Sequence, residues 1–308
     1  MSGSGSCEAH PEPPVRALDE LMNEVLDAVE ARAIRQGHGW LESGNRELDQ
    51  LLGGLRPGEL AVVAGRPSTG KSTLALEIVA HVAIASKLPT LFISSELPGR
   101  EAAERLLALE SSIPLPALRV GQMRTSAWSA LGGALRRLTQ CPLWINEGLL
   151  VGAAEIGSAA RHMKDELGLS LIVIDSVQSM WSGSGLFRRG QSSEVFGLRL
   201  IAREFEVPII IFSQLDRTRH GSEQSFPRLE DLKSYDDLED ADVVVILEQT
   251  TNAGSNDITA RPSDRGMTMT CVKNRNGRTG VRKTQLRLTQ LYDYSTYGSE
   301  GILKNEDG

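Results

Sequence analysis

Gly65-Arg66-Pro67-Ser68-Thr69-Gly70-Lys71-Ser72 follows the pattern GxxxxGK[ST], and its flanks decide what it is. Leu60 to Ala64 is a short apolar run suited to a buried strand, and Ser72 to Ser86 reads as an almost uninterrupted apolar helix. The octapeptide therefore joins a strand to a helix, the context in which such a loop cradles phosphate. Its glycines let backbone N–H groups wrap a triphosphate at a helix N-terminus. Lys71 would reach the β- and γ-phosphates, and the Ser72 hydroxyl would hold Mg²⁺. A chance Gly-rich turn would require neither flank.

Outward from the loop, short apolar strands alternate with helices, the pattern of an α/β fold whose mostly parallel sheet is covered on both faces. Strands are expected at Thr90 to Ser94, Leu143 to Asn146, Leu171 to Asp175, Pro208 to Ser213 and Val243 to Glu248. The helix between Ser126 and Gln140 carries Trp128, Leu131, Leu135 and Leu138 on one face, and that between Ala153 and Leu167 carries Ile156, Ala160, Met163 and Leu167. Both faces read as core, as do Trp128 and Trp144, which leaves Trp181, in a Gly/Ser-rich loop, open to base stacking. Near the C-terminus, alternating segments at Met267 to Lys273 and Thr284 to Leu291 bracket the turn signal Asn276-Gly277, so the sheet should end in a β-hairpin.

Residues 1–14 have the Ser/Gly/Pro composition of a disordered tail, and 296–308 read as a second tail. Between residues 15 and 36, Leu18, Leu21, Met22, Val25, Leu26 and Val29 recur at helical spacing among acidic residues. This amphipathic helix would pack on its own domain or on a neighbouring subunit. The remaining 37–295 form the main domain.

With 308 residues and 40% hydrophobic content, the chain can bury a sizeable core. Cys7, Cys141 and Cys271 have neither metal nor redox spacing, and the five histidines show no ligand spacing, so a reducing cytoplasmic setting is expected and a structural metal site is not. No signal peptide or membrane-spanning run is present. The net charge of −7 excludes a protein that coats nucleic acid over its whole surface. Segment 261–287, however, has eight basic residues against Asp264 and a net +7, which leaves −14 elsewhere. Such an element suits phosphate contact at one place, or is a solvated basic hairpin.

Three further residues fall at strand ends where ligands bind in open parallel sheets. Asp175 closes the strand Leu171-Ile172-Val173-Ile174 and would hold magnesium together with Ser72. Glu96 follows Ser94-Ser95 and would orient or deprotonate the water attacking a γ-phosphate, or else is a solvated charge before the helix at Pro98. Gln214 could hydrogen-bond a γ-phosphate oxygen and a moving loop, or cap a turn.

Taken together, Leu52 to Glu59 (LGGLRPGE), GRPSTGKS, Phe92 to Pro98 (FISSELP), LIVID at 171–175, SQLDR at 213–217 and KNRNG at 273–277 resemble the C-terminal motor domain of DnaB-type replicative helicases, in the RecA-like ATPase superfamily. The resemblance covers about Leu48 to Leu288 and implies a RecA-like P-loop core acting on ATP with Mg²⁺. It implies phosphate contact by the loop from Gly65 to Ser72, Mg²⁺ at Ser72 and Asp175, Glu96 as catalytic carboxylate, and Gln214 as γ-phosphate sensor. It also implies that Lys273 and Arg275 reach the neighbouring subunit's site, with Arg275 as an arginine finger in a hexameric ring. The helix at 15–36 is similar to the linker helix that grips the adjacent subunit.

The sequence departs from that family in two places. It shows no counterpart of the N-terminal helical domain, so the usual primase contact is not expected. Where the central DNA-binding loop reads close to DLRESG in the family, this chain has Asp231-Leu232-Lys233-Ser234-Tyr235-Asp236. Lys233 and Arg217 are then the cations expected on a single-stranded DNA path. Two other readings compete with a DNA helicase or translocase: a RecA-like ATPase, either of the RadA type, to which Ser176-Val177-Gln178 and in part KNRNG are similar, or of the clock-protein type, and a nucleotide-binding module without turnover. The combination of Glu96, Asp175 and Arg275 disfavours the latter.

Overall fold

The computed structural model describes residues 16–34, 40–121, 123–146, 148, 152–176, 194–215, 240–250 and 266–284. The tails 1–14 and 296–308, Trp181, Arg217 and Lys233 lie outside them. The chain divides into two compact units, with the boundary between Gly39 and Trp40.

The described part of the first unit is helix α1 (Leu18–Ile34). Its stripe from Leu18 to Val29 is exposed throughout, from 37% at Leu21 to 72% at Leu18.

The second unit is built on an eight-stranded sheet in the order β3-β2-β4-β5-β1-β6-β7-β8. The strands are β1 (Leu60–Gly65), β2 (Thr90–Ser94), β3 (Leu143–Asn146), β4 (Leu171–Asp175), β5 (Ile209–Gln214), β6 (Val243–Thr250), β7 (Gly266–Asn274) and β8 (Gly280–Thr284). β3 through β6 in that spatial order run parallel, and β7 and β8 are antiparallel additions. Helices α2 (Arg46–Leu52), α3 (Lys71–Val79), α4 (Gly99–Ser111), α5 (Leu115–Val120), α6 (Thr125–Thr139), α7 (Ala153–Leu167) and α8 (Glu194–Phe205) complete the unit.

Because side chains alternate across a strand, the buried strands supply two cores at once. Val63, Phe92, Val173 and Phe212 pack with Leu74, Ile78 and Leu106 of α3 and α4 on one face. Val62, Ile93, Ile174 and Ile211 pack with Ile156 of α7 and Leu198 of α8 on the other. All eight strand residues are within 1% of complete burial, so truncating any of them to alanine opens a cavity in a close-packed layer.

Five expectations need correction. The helix after the phosphate loop is α-helical only to Val79 and continues as a π-helical turn over Ala80–Ala85. This turn carries His81 against Gly44, where an added Cβ would lie 2.3 Å from the imidazole Cγ. On α6, Trp128 and Leu135 are 57% and 53% exposed rather than core, and Trp144 on edge strand β3 is 38% exposed. Ala134 is the buried residue of α6, because this helix lies against α4 at the margin of the sheet and meets the body along a narrower strip than its apolar stripe. Leu167, at the end of α7, is likewise 40% exposed. The hairpin partner of β7 starts at Gly280 rather than Thr284, since Asn274 accepts from the Asn276 N–H at 3.2 Å and turns the chain back at once. Residues 285–291 lie outside the described residues.

Among the described residues no helix is long and apolar enough to cross a membrane. Cys271 is buried and Cys141 partly buried, both as free thiols.

Candidate functional site

The spatial order β2-β4-β5-β1 aligns the carboxyl ends of four adjacent parallel strands. Ser94 pairs in register with Asp175, Asp175 with Phe212, and Gly65 with Gln214. The Ser95 N–H donates to the Asp175 carbonyl at 2.8 Å, and the Leu215 N–H to the Gly65 carbonyl at 3.0 Å. Glu96, Asp175, Gln214 and the phosphate loop are thereby brought to one edge.

The loop leaves β1 at Gly65, where a Cβ would meet the Thr69 hydroxyl at 2.7 Å and the Leu247 carbonyl at 2.8 Å, so only glycine fits. It returns through Gly70, at φ +90°, into α3. No side chain caps that helix start, which leaves its N–H groups turned to the loop. Arg66, Pro67 and Ser68 are exposed, while Thr69 is buried and donates from its hydroxyl to the Arg66 carbonyl at 2.8 Å. The Lys71 ammonium donates to the Gly65 and Arg66 carbonyls, both at 2.9 Å, and so lies across the cradle. Burial lowers its pKa, opposed by the charges of Asp175 and Glu96.

Asp175 is 1% exposed, and neither carboxylate oxygen completes a hydrogen bond of ordinary geometry. Burial pushes its pKa up to about 6. The charge of Glu96 pushes the same way, while the neighbouring Ser72 hydroxyl and the charges of Lys71 and Arg105 push it down. An ionised, buried oxygen pair beside a serine hydroxyl fits the hard-oxygen requirement of Mg²⁺. A carboxyl whose pKa is raised on folding costs stability as pH rises through the window from its ordinary value to about 6. Asp175→Asn should therefore stabilise the metal- and nucleotide-free protein at pH 7.5 by on the order of 3 kcal/mol. The gain should vanish below about pH 3, where Asp175 is protonated in the folded and the unfolded state alike. Urea unfolding in chelator at both pH values checks this.

Glu96 is exposed and accepts from the Ser176 hydroxyl at 2.6 Å. Ser176 is 1% exposed, so the donor is fixed although the acceptor faces solvent. Gln214 is half-buried at the end of β5.

Lys273 and Arg275 are not brought to this edge. Lys273 pairs with Val244, level with Val62 in the middle of β1, and Arg275 follows β7 beside Asp242 at the amino end of β1. From Leu60 to Gly65 a strand spans ~17 Å. Arg275 is 45% exposed, and its Nε lies 3.5 Å from Oδ1 of Asp242, which is 4% exposed. Partial burial lowers the Lys273 pKa, helped by the charge of Arg275.

Asp242, Arg199 and Gln249 of these two edges escape a reading by motif, and Ser176 enters one without its role of holding Glu96. Gln249 donates from Nε2 to the Ser68 carbonyl at 2.9 Å and holds the loop tip from β6. Arg199 pairs with Asp242 at 3.2 Å. The signal at Asp242 is an acid placed directly before the apolar run Val243 to Leu247; the others have no local pattern.

The sequence profile of the DnaB-like helicase C terminal domain family matches residues 40–293. The chain is similar to the replicative DNA helicase DnaB of Leifsonia xyli subsp. xyli, 35% identical over 270 residues that cover 86% of this chain and 58% of that protein. It is similar also to the DnaB of Geobacillus stearothermophilus, 30% identical over 236 residues, 75% of this chain and 52% of that one. It thus spans little more than half the length of these relatives. In three dimensions it resembles a solved ATPase domain (TM-score 0.75, 23% identity, 87% of this chain and 95% of that one). A second likeness is to a DnaB-like replicative helicase described with its interactions with primase (TM-score 0.73, 24% identity, 87% and 64%). The fold is therefore that of these helicase ATPase domains.

Proposed function

Because the chain belongs to the DnaB-like helicase C terminal domain family, we propose that it is the ATP-hydrolysing motor of a DNA helicase or single-stranded DNA translocase, with sites shared between subunits of a ring. One observation carries this reading. The phosphate loop, Asp175, Glu96 and Gln214 stand at the carboxyl edge of the sheet, and Arg275 stands at the other, ~17 Å away along β1. One subunit cannot bring both to a single phosphate. A head-to-tail arrangement, in which the amino edge of one sheet faces the carboxyl edge of the next, completes each shared site, and it closes as a ring where the rotation between successive subunits divides a full turn. Six subunits are the family's number.

In such a site Lys71 exchanges the carbonyls of Gly65 and Arg66 for the β- and γ-phosphates, and the N–H groups of Gly70 and the start of α3 hold their oxygens. Mg²⁺ bound at Ser72 and Asp175 would neutralise phosphate charge. Glu96, steadied by Ser176, takes the proton of the attacking water, and Gln214 contacts the γ-phosphate. Arg275 of the adjacent subunit offsets the charge that develops on the transferring group. Arg217 and Lys233 are the cations proposed for the DNA strand.

The test is ATPase activity with and without single-stranded DNA, on protein sized by light scattering with nucleotide present. Turnover by a ring, stimulated by DNA, is expected. Turnover indifferent to DNA would move the reading to partner remodelling by a RadA- or clock-type ATPase. The exposed stripe of α1 gives a second expectation: deletion of residues 1–36 should lower the assembled mass with nucleotide while the body stays folded by circular dichroism. An unchanged mass would remove the helix from assembly.

A further inference from the structure

We propose that Asp242 is a positioning residue for Arg275, a buried anchor that sets where this guanidinium projects toward the next subunit; this rests on the reading of Arg275 given above. Asp242 is held from two sides. Its N–H donates to the Leu60 carbonyl at 2.9 Å, and its Oδ2 accepts from the Leu60 N–H at 3.2 Å, which locks it to the start of β1. Its Oδ1 is 3.2 Å from Nη2 of Arg199, which is 12% exposed on α8. These contacts already give the carboxylate a donor and a counter-charge, as a buried charge requires.

The tie to Arg275 comes in addition, and it is made twice. The Arg275 N–H donates to the Asp242 carbonyl at 2.9 Å, and Nε lies 3.5 Å from Oδ1. At that distance, on a half-exposed arginine, the pair contributes little to stability. Its effect is directional. Nε is the guanidinium nitrogen that makes this contact, so Nη1 and Nη2 remain available, and a fork of this kind recognises phosphate oxygens in pairs. Among the described residues Arg275 has no other charged partner. The next residue is clamped as well: the Asn276 amide donates to the Glu59 carboxylate, and Arg56 donates to the Asn276 carbonyl at 3.2 Å. The stem of the side chain is thus fixed to the segment that precedes β1, and Asp242 orients the remainder.

Mixing experiments separate this from a merely structural role. Asp242→Asn keeps an acceptor for the Leu60 N–H and should bind a fluorescent ADP analogue as the unmodified protein does, with ATPase lowered up to ~10²-fold by a misplaced group. Mixed with Glu96→Gln, which has an intact Asp242 and Arg275, it should regain activity; mixed with Arg275→Ala, it should not, because neither subunit then presents a well-placed guanidinium. Recovery with Arg275→Ala, or full activity of Asp242→Asn alone, overturns the proposal. Failure of the Arg275→Ala and Glu96→Gln pair, despite subunit exchange, instead overturns the trans role of Arg275. If Asp242→Asn does not fold, Asp242→Ser carries the same test. If neither folds, Asp242 serves the fold and the proposal is wrong.

Discussion

Arg275→Ala is expected to fold, bind ATP and hydrolyse it about 10³- to 10⁵-fold more slowly, the range found for arginine fingers supplied to a phosphoryl-transfer site. Folding should survive because Asp242 keeps Arg199 and the Leu60 N–H when Arg275 is removed. Binding should survive because Arg275 is ~17 Å from its own phosphate loop along β1. The decisive reading comes from mixing it with Glu96→Gln. A ring of both contains interfaces where an intact Glu96 meets an intact Arg275, and two inactive proteins should together become active. Activity that remains the sum of the parts after confirmed subunit exchange would sink the shared site.

Glu96→Gln should lose roughly 10²- to 10⁴-fold in turnover, the usual worth of a positioned general base, while retaining ATP. The amide is isosteric and can still take the hydrogen bond from Ser176, so the end of β2 should not move. Single-turnover hydrolysis and filter binding of labelled ATP separate the two effects. An unmodified hydrolysis rate would assign the proton to another group, and loss of binding would assign Glu96 to the cradle.

The strands and the phosphate loop were legible because each is a local pattern: an apolar run, a glycine spacing, a lysine at a fixed offset. The placement of Asp175 and Glu96 is legible for a related reason, since a carboxylate at the end of a parallel strand, or just beyond it, is delivered to the same sheet edge wherever the strand lies. What escaped depends on neighbours. Periodicity locates the stripe on α6 but does not say how wide a surface it meets, and Trp128 and Leu135 remain uncovered. Alternation alone puts the start of β8 too late because Gly280-Val281-Arg282-Lys283 hardly alternates; as an edge strand it carries exposed cations that discourage pairing with another sheet. Asp242, Arg199 and Leu60 form a cluster whose members lie far apart in sequence, and no window contains it.

The central position of β1 has a consequence for how the chain acquires its structure. The strand pairs on one side with β5, roughly 150 residues later, and on the other near Asp242, 182 residues beyond Leu60. Both closures are long loops, paid for in chain entropy before any contact rewards them. During synthesis Leu-Ala-Val-Val-Ala therefore emerges early and waits, with both hydrogen-bonding edges open, until most of the domain has been made. Nucleotide binding should appear late in refolding, together with the last protected amides of β1, and the waiting strand is where the nascent chain is most exposed to aggregation.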